Sequence, residues 1–208
     1  MSKSGDDPIS HLNPNDRLCL EIGRIALAHI RLDRHLREIH RMLGMPSSAI
    51  YLTNSITSTD RLVDDCRVMI SKTAASPELL AAAQAALQAA KDANKARNRV
   101  VHDMWLPAFA PDGTDMIGHW SLMQLDKRGL GYMDPGTPKD ISFAESVNAE
   151  LGRAGIRVFA LLWALQNVLP FYQGGLQAEP VADWVAIMND RFVTNPDGSF
   201  SVLPESDT

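Results

Sequence analysis

Leu18, Ile22, Ile25, His29, Leu32, Leu36, Ile39 and Leu43 recur at three- and four-residue steps. That spacing puts them on one side of a single long helix. A helix with one apolar stripe has to bury it, and the simplest partners are other helices. Asn15 or Asp16 is suited to cap it, with Pro14 just outside, and Gly44 followed by Pro46 ends it.

The same period returns downstream. A second helix is expected after Thr57 or Ser58, with the stripe Leu62, Cys66, Met69 and Thr73. Residues 47–53 fit a short helix between the two. A third helix opens at Ser76-Pro77, with serine as N-cap and proline at the first helical position. It runs through alanine-rich sequence of high helix propensity towards Trp105. Its stripe is Leu80, Ala83, Leu87, Ala90, Asn94, Arg97, Val101 and Met104. The last long helix opens with a capping box, Ser142-x-x-Glu145, and carries Val147, Leu151, Ala154, Val158, Leu161, Leu165 and Val168. Pro170 stops it, and Gly152 and Gly155 would let a neighbouring helix come close.

Between the third and last helices the period disappears. Asp112-Gly113 and Lys127-Arg128-Gly129 are turn signals. MIGHWSLMQL (116–125) and LGYM (130–133) read as two strands of a hairpin. The expected architecture is all-α: a four-helix bundle over 14–172 with a hairpin insertion at about 107–140, before the last long helix. Residues 1–13 form a disordered tail. An appendage over 173–208 carries a short helix with Trp184, Val185 and Met188, a turn at Asn195-Pro196-Asp197-Gly198, and a disordered end.

Composition narrows the function classes. Lys plus Arg number 20 against 25 Asp plus Glu in 208 residues, a formal charge of −5. Such a chain is a poor non-specific nucleic-acid binder, so an RNA substrate would need a local basic patch. Cys19 and Cys66 lack metal-ligand spacing and read as reduced thiols. No signal peptide opens the chain and no apolar run is long enough to span a bilayer, so a cytoplasmic protein without membrane contact is expected.

Arg97 and Asn94 interrupt an otherwise apolar stripe. At about 100° per residue, Asn98 and His102 lie about 40° apart on one helix face. Arg97 lies on the interior side, where an unpaired charge is costly, so it needs a partner. One reading pairs it with an acid such as Asp33, Asp64 or Asp65. The other assembles a site. His102 serves as general acid or base near neutrality, Arg97 stabilises charge on a phosphate, and Asn98 orients the histidine or the phosphate. That set suits cleavage of a phosphodiester by its own 2′-hydroxyl, with no metal and no cofactor. Lys91, Lys95 and Arg99 are candidates for the basic patch, against the plainer reading of a solvated helix face.

The hexad Arg97-Asn98-Arg99-Val100-Val101-His102 resembles the Arg-x4-6-His motif of the HEPN superfamily (higher eukaryotes and prokaryotes nucleotide-binding domains). Its frequent form is Arg-Asn-x-x-x-His, which Arg97, Asn98 and His102 match position for position. The resemblance implies a helical bundle with the motif late in a long helix. It also implies metal-independent endoribonuclease or RNA-binding activity, and a homodimer whose motifs meet at the interface. A toxin or phage-defence setting with an antitoxin partner is implied too. Other members bind nucleotides or serve as non-catalytic interaction modules. Where some toxin members carry a tyrosine two residues after the histidine, this chain has Met104.

Other residues have plainer readings. His29 and Asp33 stand at i,i+4, a spacing that can hold a metal from one helix. A core histidine satisfied by hydrogen bonds is the favoured alternative, with Asp33 in a supporting role as a polar partner for Arg97.

Overall fold

The computed structural model describes residues 12–44, 57–73, 75–102, 104–109, 115–120, 141–168, 181–195 and 200–203. They are mostly helical. The helices are α1 (Pro14–Leu43), α2 (Thr59–Ile70), α3 (Pro77–His102), α4 (Ile141–Val168) and α5 (Val181–Met188). Two hairpins accompany them: β1 (Met104–Phe109) with β2 (Asp115–Trp120), and β3 (Phe192–Thr194) with β4 (Phe200–Val202). Among the described residues no helix is long and apolar enough to cross a membrane.

The chain divides into two compact units. One comprises residues 1–27 and 95–150, the other 28–94 and 151–208. In the first, the start of α1 is tied to the start of α4. Arg17 Nε donates to Glu145 Oε1 at 3.0 Å, and Asn148 Nδ2 donates to Glu21 Oε2 at 3.3 Å. Leu18, Ile25, Val100, Ala144 and Val147 are buried in this unit.

The second unit holds most of the core. Leu32, Leu36, Leu62, Leu87, Leu161 and Leu165 have no exposed surface. Each leucine buried in this way stabilises the fold by roughly 1.5–3 kcal/mol. Cys66 Sγ lies 3.8 Å from the Leu36 carbonyl, joining α2 to α1, and burial pushes its thiol up to about 12. Phe159 on α4 meets the rings of His35 on α1 and Trp184 on α5.

The ends of the helices depart from the expected ones for local reasons. Pro14 is the first residue inside α1 rather than outside it. Asn13 caps: its Oδ1 accepts from the Asp16 amide at 2.9 Å while its Nδ2 donates to Asp16 Oδ2 at 2.7 Å. Ser58 caps α2, and Ser76 caps α3 from the residue before Pro77. At the expected capping box, α4 already begins at Ile141, so Ser142 lies inside the helix, and the Glu145 carboxylate pairs with Arg17. The α4 stripe from Val147 to Leu165 is buried as the period requires, whereas in α3 the buried positions include Leu79 rather than Leu80.

The insertion also differs. α3 stops at His102, and Met104–Phe109 is already a strand, paired antiparallel to Asp115–Trp120 with Trp105 opposite His119. The expected first strand overlaps β2. The expected strand at 130–133 lies outside the described residues, as do the short helix at 47–53, the 1–11 part of the tail and the final residues. Gly152 and Gly155 do not mark a close approach, since a Cβ at either would meet nothing within 4 Å.

Candidate functional site

The motif sits on the last turns of α3, in the first unit. Lys95, Asn98, Arg99 and His102 fall within an arc of about 100° around the helix axis. Lys95, Arg99 and His102 are exposed and Asn98 is half-buried. Arg97 lies on another side, half-buried, but its side chain reaches back to its neighbour. Nη1 donates to Asn98 Oδ1 at 2.9 Å, while the buried Nε has no hydrogen-bond partner.

This bond fixes the Asn98 amide. Its oxygen is engaged by Arg97, so its NH₂ is the group left to donate. An amide held that way is a donor and suits an oxyanion. His102 is the final residue of α3, where the last carbonyls lack intrahelical partners. One of them, Val100 O, accepts from Trp105 Nε1 at 2.9 Å, so the first strand is anchored to the end of the helix that carries the motif. The side chains of Asp103 and Met104 lie outside the described residues.

The remaining candidates are distributed differently. Lys91 Nζ is bonded to both oxygens of Asp64, at 2.7 and 3.0 Å, in the second unit. Lys95 and Arg99 lie on the motif face in the first unit. Asp33 does not serve as the partner foreseen for Arg97. Its carboxylate accepts from Arg37 Nε at 2.6 Å and from Thr59 Oγ1 at 2.9 Å. The acid alternatives Asp64 and Asp65 are engaged by Lys91 and Arg61.

His29 is hydrogen-bonded, as expected of it, in a directed network of the second unit whose partners were not foreseen. Asp60 Oδ1 is acceptor-only and takes Asn94 Nδ2 at 2.9 Å. The Asn94 oxygen therefore faces His29 Nε2, 2.9 Å away, and that nitrogen must donate. Thr59 Oγ1 lies 3.3 Å from the same nitrogen and passes its own proton to Asp33. The i,i+4 spacing of His29 and Asp33 thus serves hydrogen bonding. Among the described residues no group of three or more His, Cys, Asp and Glu could hold a metal ion. The one polar interruption of the α3 stripe besides Arg97, Asn94, was the sequence signal for this network.

Comparisons with protein-family models, with curated proteins and with solved structures find no match to this chain.

Proposed function

We propose that this chain is a metal-independent endoribonuclease or RNA-binding protein of HEPN type, a helical bundle acting as a homodimer. The observation that carries the reading is the Arg97–Asn98 bond beside an exposed His102. It leaves one amide donor and one imidazole on the same helix face, flanked by Lys95 and Arg99. In the reaction that suits them, the ribose 2′-oxygen attacks the adjacent phosphorus and the P–O5′ bond breaks. His102 takes the proton from the 2′-hydroxyl and returns it to the departing 5′-oxygen, and Asn98 steadies the charged phosphoryl oxygens. The products are a 2′,3′-cyclic phosphate and a 5′-hydroxyl. A cytoplasmic toxin or phage-defence role with an antitoxin partner belongs to the same proposal and rests on the resemblance of the hexad alone.

The experiment is incubation of the purified chain with single-stranded RNA, with the end groups of any fragments identified. Cyclic phosphate ends, and resistance of the same sequence carrying 2′-O-methyl groups, are the expected result. Fragments with 5′-phosphates, or equal cleavage of the methylated strand, contradict the chemistry.

A second reading, a non-catalytic helical nucleotide-binding or protein-interaction module, is favoured by a different observation. In the second unit Ile30 on α1 and Val68 on α2 are 62% and 55% exposed. Large apolar side chains left open to solvent suit contact with another protein.

A further inference from the structure

A groove of about 350 Å³ runs along α1 in the second unit, lined by His29, Ile30, Asp33, Arg34, Arg37, Glu38 and Arg41. Its charges are unequal. Arg37 is paired with Asp33 and Arg41 with Glu38, both along the helix. These pairs neutralise both carboxylates and hold the two guanidinium groups in place. Arg34 is left over. It is exposed and, among the described residues, has no hydrogen bond or ion pair. The groove is therefore locally positive on a chain whose net charge is −5.

The wall beside Arg34 is of the opposite character. Ile30, one helical turn earlier, is 62% exposed and lines the same groove. Residues four apart on a helix have side chains about 6 Å apart, a distance that one aryl or short alkyl phosphate spans. The floor is rigid, because His29 is held by Asn94 and Thr59, and Asp33 by Thr59 and Arg37. A fixed polar wall, a spare guanidinium and an adjacent apolar surface form a site for a ligand with one anionic and one apolar end.

We propose that the α1 groove binds a small organic phosphomonoester, its phosphate on Arg34 and its apolar body against Ile30. This site is independent of the α3 motif and of the ribonuclease reading.

The test is a ¹⁵N–¹H NMR titration of the full chain with phenyl phosphate, run beside inorganic phosphate. Saturable shifts centred on residues 29–41 are expected, with inorganic phosphate binding roughly tenfold more weakly. Arg34→Ala should weaken phenyl phosphate by about tenfold or more. Ile30→Ser should bring phenyl phosphate down to the level of inorganic phosphate. Both side chains are exposed, so neither variant removes core packing, and the unliganded spectra verify that each is folded. The proposal is overturned by any of three results: no saturable shift up to about 10 mM, where a groove of this size and charge should be filled; equal binding of the two phosphates; or undiminished binding by Arg34→Ala.

Discussion

Arg97 Nη1 donates to the side-chain oxygen of Asn98, the next residue in the chain, at 2.9 Å. A half-buried arginine thereby fixes the oxygen of a half-buried amide. The exposed His102, one turn on, lies about 40° round the helix from that amide.

Asn98→Asp follows directly. The Arg97 contact survives, now as a charge-assisted bond, but the NH₂ donor becomes a carboxylate oxygen that repels phosphate. RNA cleavage should fall about 100-fold or more, in the range seen when an oxyanion donor is lost. The thermal unfolding midpoint should not drop. Paired cleavage and calorimetry measurements check this, and unaltered cleavage would contradict the role given to the Asn98 amide.

Stability should fall as the pH drops below neutrality. His40 is buried and His35 half-buried, and desolvation holds both below the ordinary imidazole value of 6.5. His35 keeps one bond to the Gly155 backbone, and the Nδ1 atoms of both rings are buried without a hydrogen-bond partner. The unfolded chain therefore takes up protons near pH 6.5 that the folded chain refuses, so unfolding gains as the pH drops through that window. Glu38 and Asp190, lowered by their bonds to Arg41 and Arg157, lose their stabilising charge only in more acid solution. Urea midpoints between pH 7.5 and 5 should decline, and His35→Gln should flatten the decline. A midpoint independent of pH would show that these rings are solvated.

Asp190 gives a backbone test. It has φ 60° and stands after α5 in a Schellman motif, with Arg191 N donating to Ala186 O at 2.9 Å and Asp190 N to Ile187 O at 3.0 Å. Glycine is the easy residue there, and Arg157 holds the aspartate side chain instead. Asp190→Ala loses the ion pair and keeps the strain, while Asp190→Gly loses the pair and relieves the strain. Alanine should therefore be less stable than glycine by about 1 kcal/mol. Equal denaturation midpoints for the two variants would contradict the left-handed conformation.

Helix existence was legible in the sequence because periodicity records burial directly, as α1 and α4 illustrate. Helix ends were less so, since they depend on single side chains. Asn13 rather than Asn15 or Asp16 took the cap of α1, and Glu145 was drawn to Arg17, far away in sequence. The strand Met104–Phe109 was hidden because Met104 continues the helical stripe in register, and Pro107 argues against a strand. In the motif, the helix faces could be read from spacing alone, but the choice of Asn98 rather than an acid as the partner of Arg97 could not. Asp33, Asp64 and Lys91 were each claimed by partners on other turns or helices, which no local pattern reveals. A hydrogen-bonded His29 was legible, but its partners needed three helices to meet, and the polar Asn94 in an apolar stripe was the hint of them.

The most direct measurement is cleavage of single-stranded RNA in EDTA by the wild-type chain and by His102→Ala, each verified as folded. Cleavage by the wild type and a loss of about 1,000-fold or more in the variant are the expected result, as when a general acid–base group is removed. Equal cleavage by both proteins, or none by either across varied RNAs, would contradict it.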